Sequence, residues 1–335
     1  MTQTSVAPHR ERHAGRPRPP GGYGASVLVT LLAMAFLGAA LLRLAGIDGN
    51  RYTVAALALT PYVVAGGTVL GLVALSLRRW ATGGLVLLVA VLLAAAVAPR
   101  AFGRSRPYGT GTELRVLTAN LYVGRGDAAT VVNLVREHRV DVLSLQELTP
   151  EAVAALDRAG LGAELPYREF RPGPTSTGSG LAARYPLQPR SLAGPSGAQQ
   201  PGALLILPTG ERVELLAAHP TWPFGPGGAD AWRRELAGLP EPNPEGTVRV
   251  LAGDFNATVD HAAFRRLLGL GYADAADQAG AGLLPTWPAN GRRWPPVTID
   301  HVLVDRRCPV DEVQVFDVPG SDHRALLARF SLPKP

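Results

Sequence analysis

This chain predicts an α/β domain carried behind three apolar helices, and three observations support that. The first hundred residues contain three windows without a charged side chain: 24 positions between Arg18 and Arg43, 26 between Arg51 and Arg78, and 20 between Arg79 and Arg100. After Pro107 the pattern changes to short apolar runs separated by turn residues, with amphipathic stretches among them. Small polar clusters stand at the ends of those runs. A chain of 335 residues with 47% apolar content holds one ordinary domain and an addition of this kind.

An arginine-rich polar tail, residues 1–23, comes first and is expected to lack fixed structure. About 20 apolar residues cross ~30 Å of hydrocarbon, so each window is long enough to span a bilayer. Transmembrane helices are expected near Ser26–Leu42, Val54–Leu77 and Ala81–Ala98, within a membrane segment 24–99. Pro61 and Gly66-Gly67 fit such a helix, where both residue types are tolerated. A cleaved signal peptide fits less well, because the polar leader is long and no small-x-small site follows the first run. AAAVAP at Ala94–Pro99 does resemble a cleavage site, so removal after the third helix is the alternative to retained helices.

Charge separates the two halves. Residues 1–106 hold eleven arginines against Glu11 and Asp48, a net +9, which leaves −3 for the remainder of a chain whose total is +6. Proteins that neutralise nucleic-acid phosphates present a basic face, so this split weakens a polynucleotide-binding reading. Six arginines (10, 12, 16, 18, 78, 79) lie on one side of the three spans and five (43, 51, 100, 104, 106) on the other. With the tail left in the cytoplasm, the C-terminal half is expected outside the cell. Cys308 is alone, forms no intramolecular disulfide, and reads as a small buried apolar residue.

Beyond a linker, 100–112, the domain is expected over 113–335. ELRVLTANLY, DVLSLQEL, ALLILP, RVELLAAHP, VRVLAGDFN, IDHVLVD and VQVFDVP read as strands, nearly continuous in apolar character and so covered on both faces. Ala128–His138, Pro150–Arg158, Ala229–Leu236 and His261–Leu268 read as helices, the second with Thr149 as N-cap and Pro150 in its first turn. Residues 171–180 and 240–246 lack periodicity and read as loops.

Glu147 closes an apolar strand and offers a hard oxygen donor of the kind that suits Mg²⁺ or Mn²⁺. Asp254 follows a strand and a glycine, with Asn256 two residues on and facing the same way. Alone, this GDFN would be a turn. His219 ends another strand, where an isolated histidine is usually structural. Asp300 is sharper: an acid inside the hydrophobic VTIDHVLV costs several kcal/mol unless paired. His323 is the expected partner and Arg324 the alternative. A buried aspartate fixes an imidazole's tautomer and stabilises its protonated form. His301 should point to the opposite face.

LTAN with Asn120, QEL with Glu147, the LAARYPL run, the strand-end His219, GDFNA, IDHVLV and SDHRAL with Asp322 and His323 occur in the order found in the endonuclease/exonuclease/phosphatase superfamily, which the chain resembles from about Leu114 to Phe330. The resemblance implies a four-layer α/β/β/α sandwich, deoxyribonuclease-like, preceded here by the three transmembrane helices. It also implies a divalent cofactor, Mg²⁺ or Mn²⁺, on Glu147 with Asn120 nearby, and Asp322 supporting metal or histidine. Asp254 would orient or deprotonate water, Asn256 would hold a phosphate oxygen, and His219 and His323 would face the scissile phosphate. Which of Asp254 and His323 takes the proton stays open.

The implied activity is metal-dependent phosphoesterase chemistry, and membrane-anchored members of the superfamily with this architecture are associated with teicoplanin-type glycopeptide resistance. Expected partners are therefore the lipid bilayer and a phosphate-ester substrate, lipid-linked first and nucleic acid second, with no protein partner implied. HPTWPF (His219–Phe224), Trp287 and Trp294 could form apolar rims for acyl or isoprenoid chains, or could pack under loops.

Overall fold

The computed structural model describes residues 21–103, 111–289, 291 and 295–334. The arginine tail up to residue 20, Arg104, Arg106 and Trp294 lie outside the described residues. Five helices open the chain: α1 (Gly21–Ala45), α2 (Arg51–Ala58), α3 (Thr60–Ser76), α4 (Trp80–Val97) and α5 (Pro99–Phe102). Two stretches, Gly24–Ala45 and Trp80–Phe102, are long and apolar enough to cross a membrane, or three if the pair α2 and α3 is counted as one bent span.

The single helix expected over Val54–Leu77 is broken, and its halves meet at 66°. Pro61 sits in the first turn of α3, where its missing N–H is harmless, and it disfavours helical geometry in the residue before it. Asn50 starts α2 independently by accepting from the N–H groups of Tyr52 and Thr53. Val54 and Leu57 of α2 are both buried, and Val54 packs into the domain that follows.

That domain contains β1 (Glu113–Asn120), α6 (Ala128–Glu137), β2 (Val142–Gln146), α7 (Pro150–Arg158), α8 (Leu161–Glu164), β3 (Tyr167–Arg171), β4 (Ser179–Ala183), β5 (Leu187–Arg190), β6 (Gly202–Ile206) and β7 (Arg212–Ala218). It continues through α9 (Gly228–Ala237), β8 (Val248–Asp254), α10 (Ala262–Leu270), β9 (Tyr272–Asp274), α11 (Ala275–Ala279), β10 (Asp300–Asp305), β11 (Val310–Asp317) and β12 (Arg324–Ser331). The strands form two six-stranded sheets, ordered β11-β12-β1-β2-β4-β3 and β5-β6-β7-β8-β10-β9. Each has one parallel pair, β1 with β2 and β7 with β8, among antiparallel neighbours.

One apolar core fills the space between the sheets, with Val116, Leu205, Val250, Val304 and Phe330 among its members. The outer face of the first sheet is covered by α6 and α7 and that of the second by α9 and α10, which gives helices on both sides of a two-sheet centre. Each parallel crossover needs a covering helix, here α6 and α9. The C-terminal ends of both parallel pairs point to one edge, and there the polar clusters gather.

The structure extends the strand reading. The stretch 171–180 is the turn of a hairpin rather than a free loop, since Arg171 pairs with Ser179 and Phe170 with Gly180. Directly after His323, β12 supplies the central partner of both β1 and β11.

Phe330 is fully buried between the sheets. Replacing it with Ala is expected to lower unfolding stability by ~3–5 kcal/mol in denaturant titration. A loss below about 1 kcal/mol would contradict this packing.

Candidate active site

Three strand ends from each sheet build the site. β1 ends on Asn120, whose Oδ1 accepts the Tyr122 N–H at 2.9 Å and whose Nδ2 donates to Asp254 Oδ2 at 3.0 Å and Glu147 Oε1 at 3.3 Å. Glu147 follows β2 with φ of 55°, and Oε2 accepts the Val123 N–H at 2.7 Å. Tyr122, Val123, Glu147 and Asn256 all have left-handed backbone, a concentration of strain typical of functional sites.

Below this rim a buried polar ladder ties the sheets together: Thr118 donates to Gln146, Gln146 to Ser144, and Ser144 to the Ala252 carbonyl of the opposite sheet at 2.8 Å. The glycine before Asp254 serves close approach rather than a bend, because a Cβ on Gly253 would lie 1.9 Å from the Ala218 carbonyl oxygen.

Asp254 and Asp300 face each other in register on β8 and β10, at 2% and 0% exposure. Between them stands His323, its Nδ1 2.9 Å from Asp300 Oδ2 and its Nε2 3.7 Å from Asp254 Oδ2. Ser321 fixes the approach by donating to the Asn120 carbonyl at 2.7 Å while accepting the His323 N–H at 3.0 Å. Arg324 is not the partner of Asp300; it pairs with Asp317. His301 points to the opposite face, 2.5 Å from Asp274.

Burial alone would pull the His323 pKa down, but the charges of Asp300 and Asp254 outweigh it and push it up to about 10. Burial pushes Asp254 up to about 7 against the pull of His323. Burial also raises Glu147. His219, buried and close to the charged His323, drops to about 4 and is neutral, with an unpartnered Nδ1. The main-chain N–H of His219 is held by Gln200 at 3.0 Å. Asn256 donates its backbone N–H to Asp254 at 2.8 Å and its Nδ2 to the Pro220 carbonyl at 3.1 Å.

Asp322 accepts from Trp287 Nε1 at 3.3 Å, which makes Trp287 part of the site rather than a rim for lipid. Ser321 and Gln200 were not singled out from sequence, although Ser321 lies within the SDH cluster itself, and Trp287 was read only as a rim or loop-packing residue. All eight predicted positions, Asn120, Glu147, His219, Asp254, Asn256, Asp300, Asp322 and His323, thus come together at one edge.

The site opens into a cleft of about 700 Å³. Glu147, His219, Asp254 and His323 line it together with Trp222, Phe224 and, from α2, Val54 and Ala58. Trp222 is 57% exposed and packs tilted against Phe224 with ring centroids 5.4 Å apart.

Residues 117–323 match the model of the Endonuclease/Exonuclease/phosphatase family. The chain belongs to that family. Members of the Endonuclease/Exonuclease/phosphatase family are hydrolases of phosphoesters. No curated protein matches in sequence. Among solved structures, the fold is shared with an endonuclease/exonuclease/phosphatase from Beutenbergia cavernae (19% identity, 66% of this chain and 72% of that one, TM-score 0.53). It is also shared with one from Bacteroides vulgatus (20%, 66% and 99%, 0.50) and with D. rerio TDP2 complexed with single strand DNA product (17%, 66% and 100%, 0.51).

A divalent cation fits the donor set of this family site. Glu147, Asp254, Asp300 and Asp322 bring four carboxylates to one edge against the single charge of His323, and hard oxygen donors suit Mg²⁺ or Mn²⁺. Asp254, Asp300 and His323 offer ligand atoms within 4.8 Å of one another and are a candidate metal group by spacing. The ion pair between His323 Nδ1 and Asp300 occupies that nitrogen, which favours Glu147, Asn120 and Asp322 as the ligand side.

The raised His323 pKa contributes stability that is complete below the ring's ordinary 6.5 and is lost as pH rises through about 10. Asp300→Asn is therefore expected to destabilise the protein most at about pH 6, with the gap closing towards pH 10 in denaturation series. A gap independent of pH would contradict the ion pair.

Proposed function

We propose that this protein is a divalent-metal-dependent phosphoesterase anchored in the membrane, with its catalytic domain on the outer face and envelope lipid phosphates as substrate. The observation that carries the lipid assignment is the lining of the cleft. Val54 and Ala58, from a helix of the N-terminal apolar segment, line the same cleft as Glu147 and Asp254, which brings α2 to the site where an ester on a chain rising from the bilayer would arrive. The resemblance to teicoplanin-resistance-associated members agrees, and points to undecaprenyl-type carriers.

Asn120, Glu147 and Asp322 would hold the Mg²⁺ or Mn²⁺, which supplies neutralisation of the phosphate's negative charge. Asp254, with a pKa of about 7, accepts the proton of the attacking water as its oxygen bonds to phosphorus and the P–O bond to the leaving oxygen, of an ester or of a lipid pyrophosphate, breaks. His323, whose pKa Asp300 and Asp254 push up to about 10, is suited to act as an acid rather than as the base. Its role is to stabilise the added charge and donate a proton towards the leaving oxygen. Neutral His219 and the amide of Asn256 are the donors for phosphoryl oxygens, placed by Gln200 and Pro220.

A second reading, nuclease activity, is favoured by the structural neighbour complexed with a DNA product. The net −3 of residues 107–335 speaks against it.

Mg²⁺-dependent release of phosphate by the full-length protein from undecaprenyl pyrophosphate, with sphingomyelin, DNA and RNA in parallel, tests both. Lipid phosphate alone should be turned over, and cleavage of DNA or RNA only would transfer the assignment to a nuclease. Glu147→Gln should cut turnover ~100-fold with the fold intact, and Mg²⁺-dependent turnover equal to wild type would remove the metal assignment. The rate is expected to rise with pH up to an apparent pKa at or below about 7, where Asp254 ionises, and Asp254→Asn should abolish that limb.

A further inference from the structure

Asp254 ends β8, and the stretch that follows carries Asn256 to the cleft before α10 begins. From Phe255 to His261 every residue but Asn256 is buried. The first part of this stretch is tied within the domain: the Phe255 N–H donates to the Ile299 carbonyl at 2.9 Å, and His301 Nε2 donates to the Ala257 carbonyl at 2.8 Å. The second part takes partners from the N-terminal helices. Asp260 accepts from Arg43 Nε, near the end of α1, at 2.7 Å and from both terminal nitrogens of Arg100, in α5, at 2.7 and 2.8 Å. His261 accepts the Thr258 N–H on Nδ1 at 2.9 Å and donates from Nε2 to the Val54 carbonyl of α2 at 2.9 Å. Just beyond, Asp48 accepts the Ala263 N–H at 2.8 Å, and Gly46, in left-handed backbone, passes so close to α10 that a Cβ there would lie 3.0 Å from that of Ala262.

A buried carboxylate held by two guanidinium groups is a poor device for stability alone, because apolar side chains of equal volume often serve as well. What it supplies is direction. Both oxygens of Asp260 are committed to named nitrogens, so the carboxylate has one position relative to α1 and α5. Asp260 is also joined inward, its N–H donating to Thr258 Oγ1 at 3.3 Å and its carbonyl accepting from Arg265 of α10. Upstream, Asn256 has φ of 50°, a conformation that costs energy for a residue with a side chain and persists only where the surroundings enforce it. Its backbone N–H holds Asp254 Oδ1 at 2.8 Å, so the same turn aims both side chains.

We propose that Asp260 is a positioning residue for the phosphoesterase reaction: through Arg43 and Arg100, the N-terminal helices hold Asn256 and Asp254 where that reaction needs them. The inference rests on the phosphoesterase reading of the site, and it makes α1 and α5 part of the working apparatus rather than an anchor alone. It also confines the effect to one side of the site. Asp254 and Asn256 stand at the end of a strand of the second sheet, whereas Asn120, Glu147 and Asp322, the metal side, stand at strand ends of the first. Loss of the ion pairs at Asp260 displaces the former and spares the latter, and a misplacement of ~1 Å at reacting groups costs up to ~100-fold in rate.

The test uses the full chain and whichever member of the substrate panel above the wild type cleaves, at a temperature well below the unfolding midpoint of every variant. Asp260→Asn should lower kcat ~10-fold or more, with KM and Mn²⁺ affinity changed ~3-fold at most. Hydrogen exchange should quicken over residues 254–261 and not at the ends of β1 and β2. Arg43→Gln, which leaves the pair of Asp260 with Arg100 in place, should show the same pattern more weakly, and Arg43→Lys, which keeps the charge, should recover most of the rate. The Arg43 variants keep the test readable if Asp260→Asn does not fold. Wild-type kcat in every variant that folds would overturn the proposal. So would kcat and Mn²⁺ affinity lost together with exchange quickened across both sheets, since Asp260 would then be a structural residue only. A wild type that cleaves nothing in the panel would instead end the phosphoesterase reading, and a positioning role in that reaction with it.

Discussion

Two buried carboxylates facing each other on adjacent strands form the constraint on which the rest of this structure depends. Asp254 and Asp300 are in register across β8 and β10, both nearly inaccessible, and a cation between them offsets the cost of burying such a pair. His323 is that cation. To deliver it, the chain must return from β11 and enter the first sheet as β12 beside β1, with Ser321 bonded to Asn120 to set the approach. Asn120 in turn reaches both Glu147 and Asp254, so the ion pair, the metal-facing carboxylates and the junction of the two sheets form one connected unit.

The N-terminal apolar helices join this unit rather than merely tethering it. The 66° break between α2 and α3 places Val54 in the core of the second sheet's outer layer and brings its carbonyl to His261 Nε2 at 2.9 Å. Asp48 accepts the Ala263 N–H at 2.8 Å, and Arg43 and Arg100 meet at Asp260. Removing one member of so buried a network typically costs ~3–5 kcal/mol, since it leaves the others charged and unmatched. The loop after β8 is therefore held by the active site at one end and by the N-terminal apolar helices at the other.

Much of the site was legible in sequence because strand ends are legible: apolar runs closing on Asn120, Glu147, His219 and Asp254 each deliver a polar side chain to the sheet edge. The pairing of Asp300 with His323 followed from the cost of a lone buried acid. Other features had no local signal. β3 and β5 are half-exposed edge strands without a clear alternation, and β12 was masked by the functional cluster that leads into it and by Arg329 within it. Asp260 looks like an ordinary turn residue, and its partners lie 217 and 160 residues away. The break at Pro61 carried a signal, but a proline inside an apolar window is compatible with both a kinked and a divided helix.

The protonation state of His323 tests this account most directly. Nitrogen-15 NMR of histidine-labelled protein should find both ring nitrogens of His323 protonated from about pH 6 to about pH 9, while His219 stays neutral throughout. A His323 ring that titrates near its ordinary 6.5 would contradict the account, because the two facing aspartates would then lack the cation that offsets the cost of their burial.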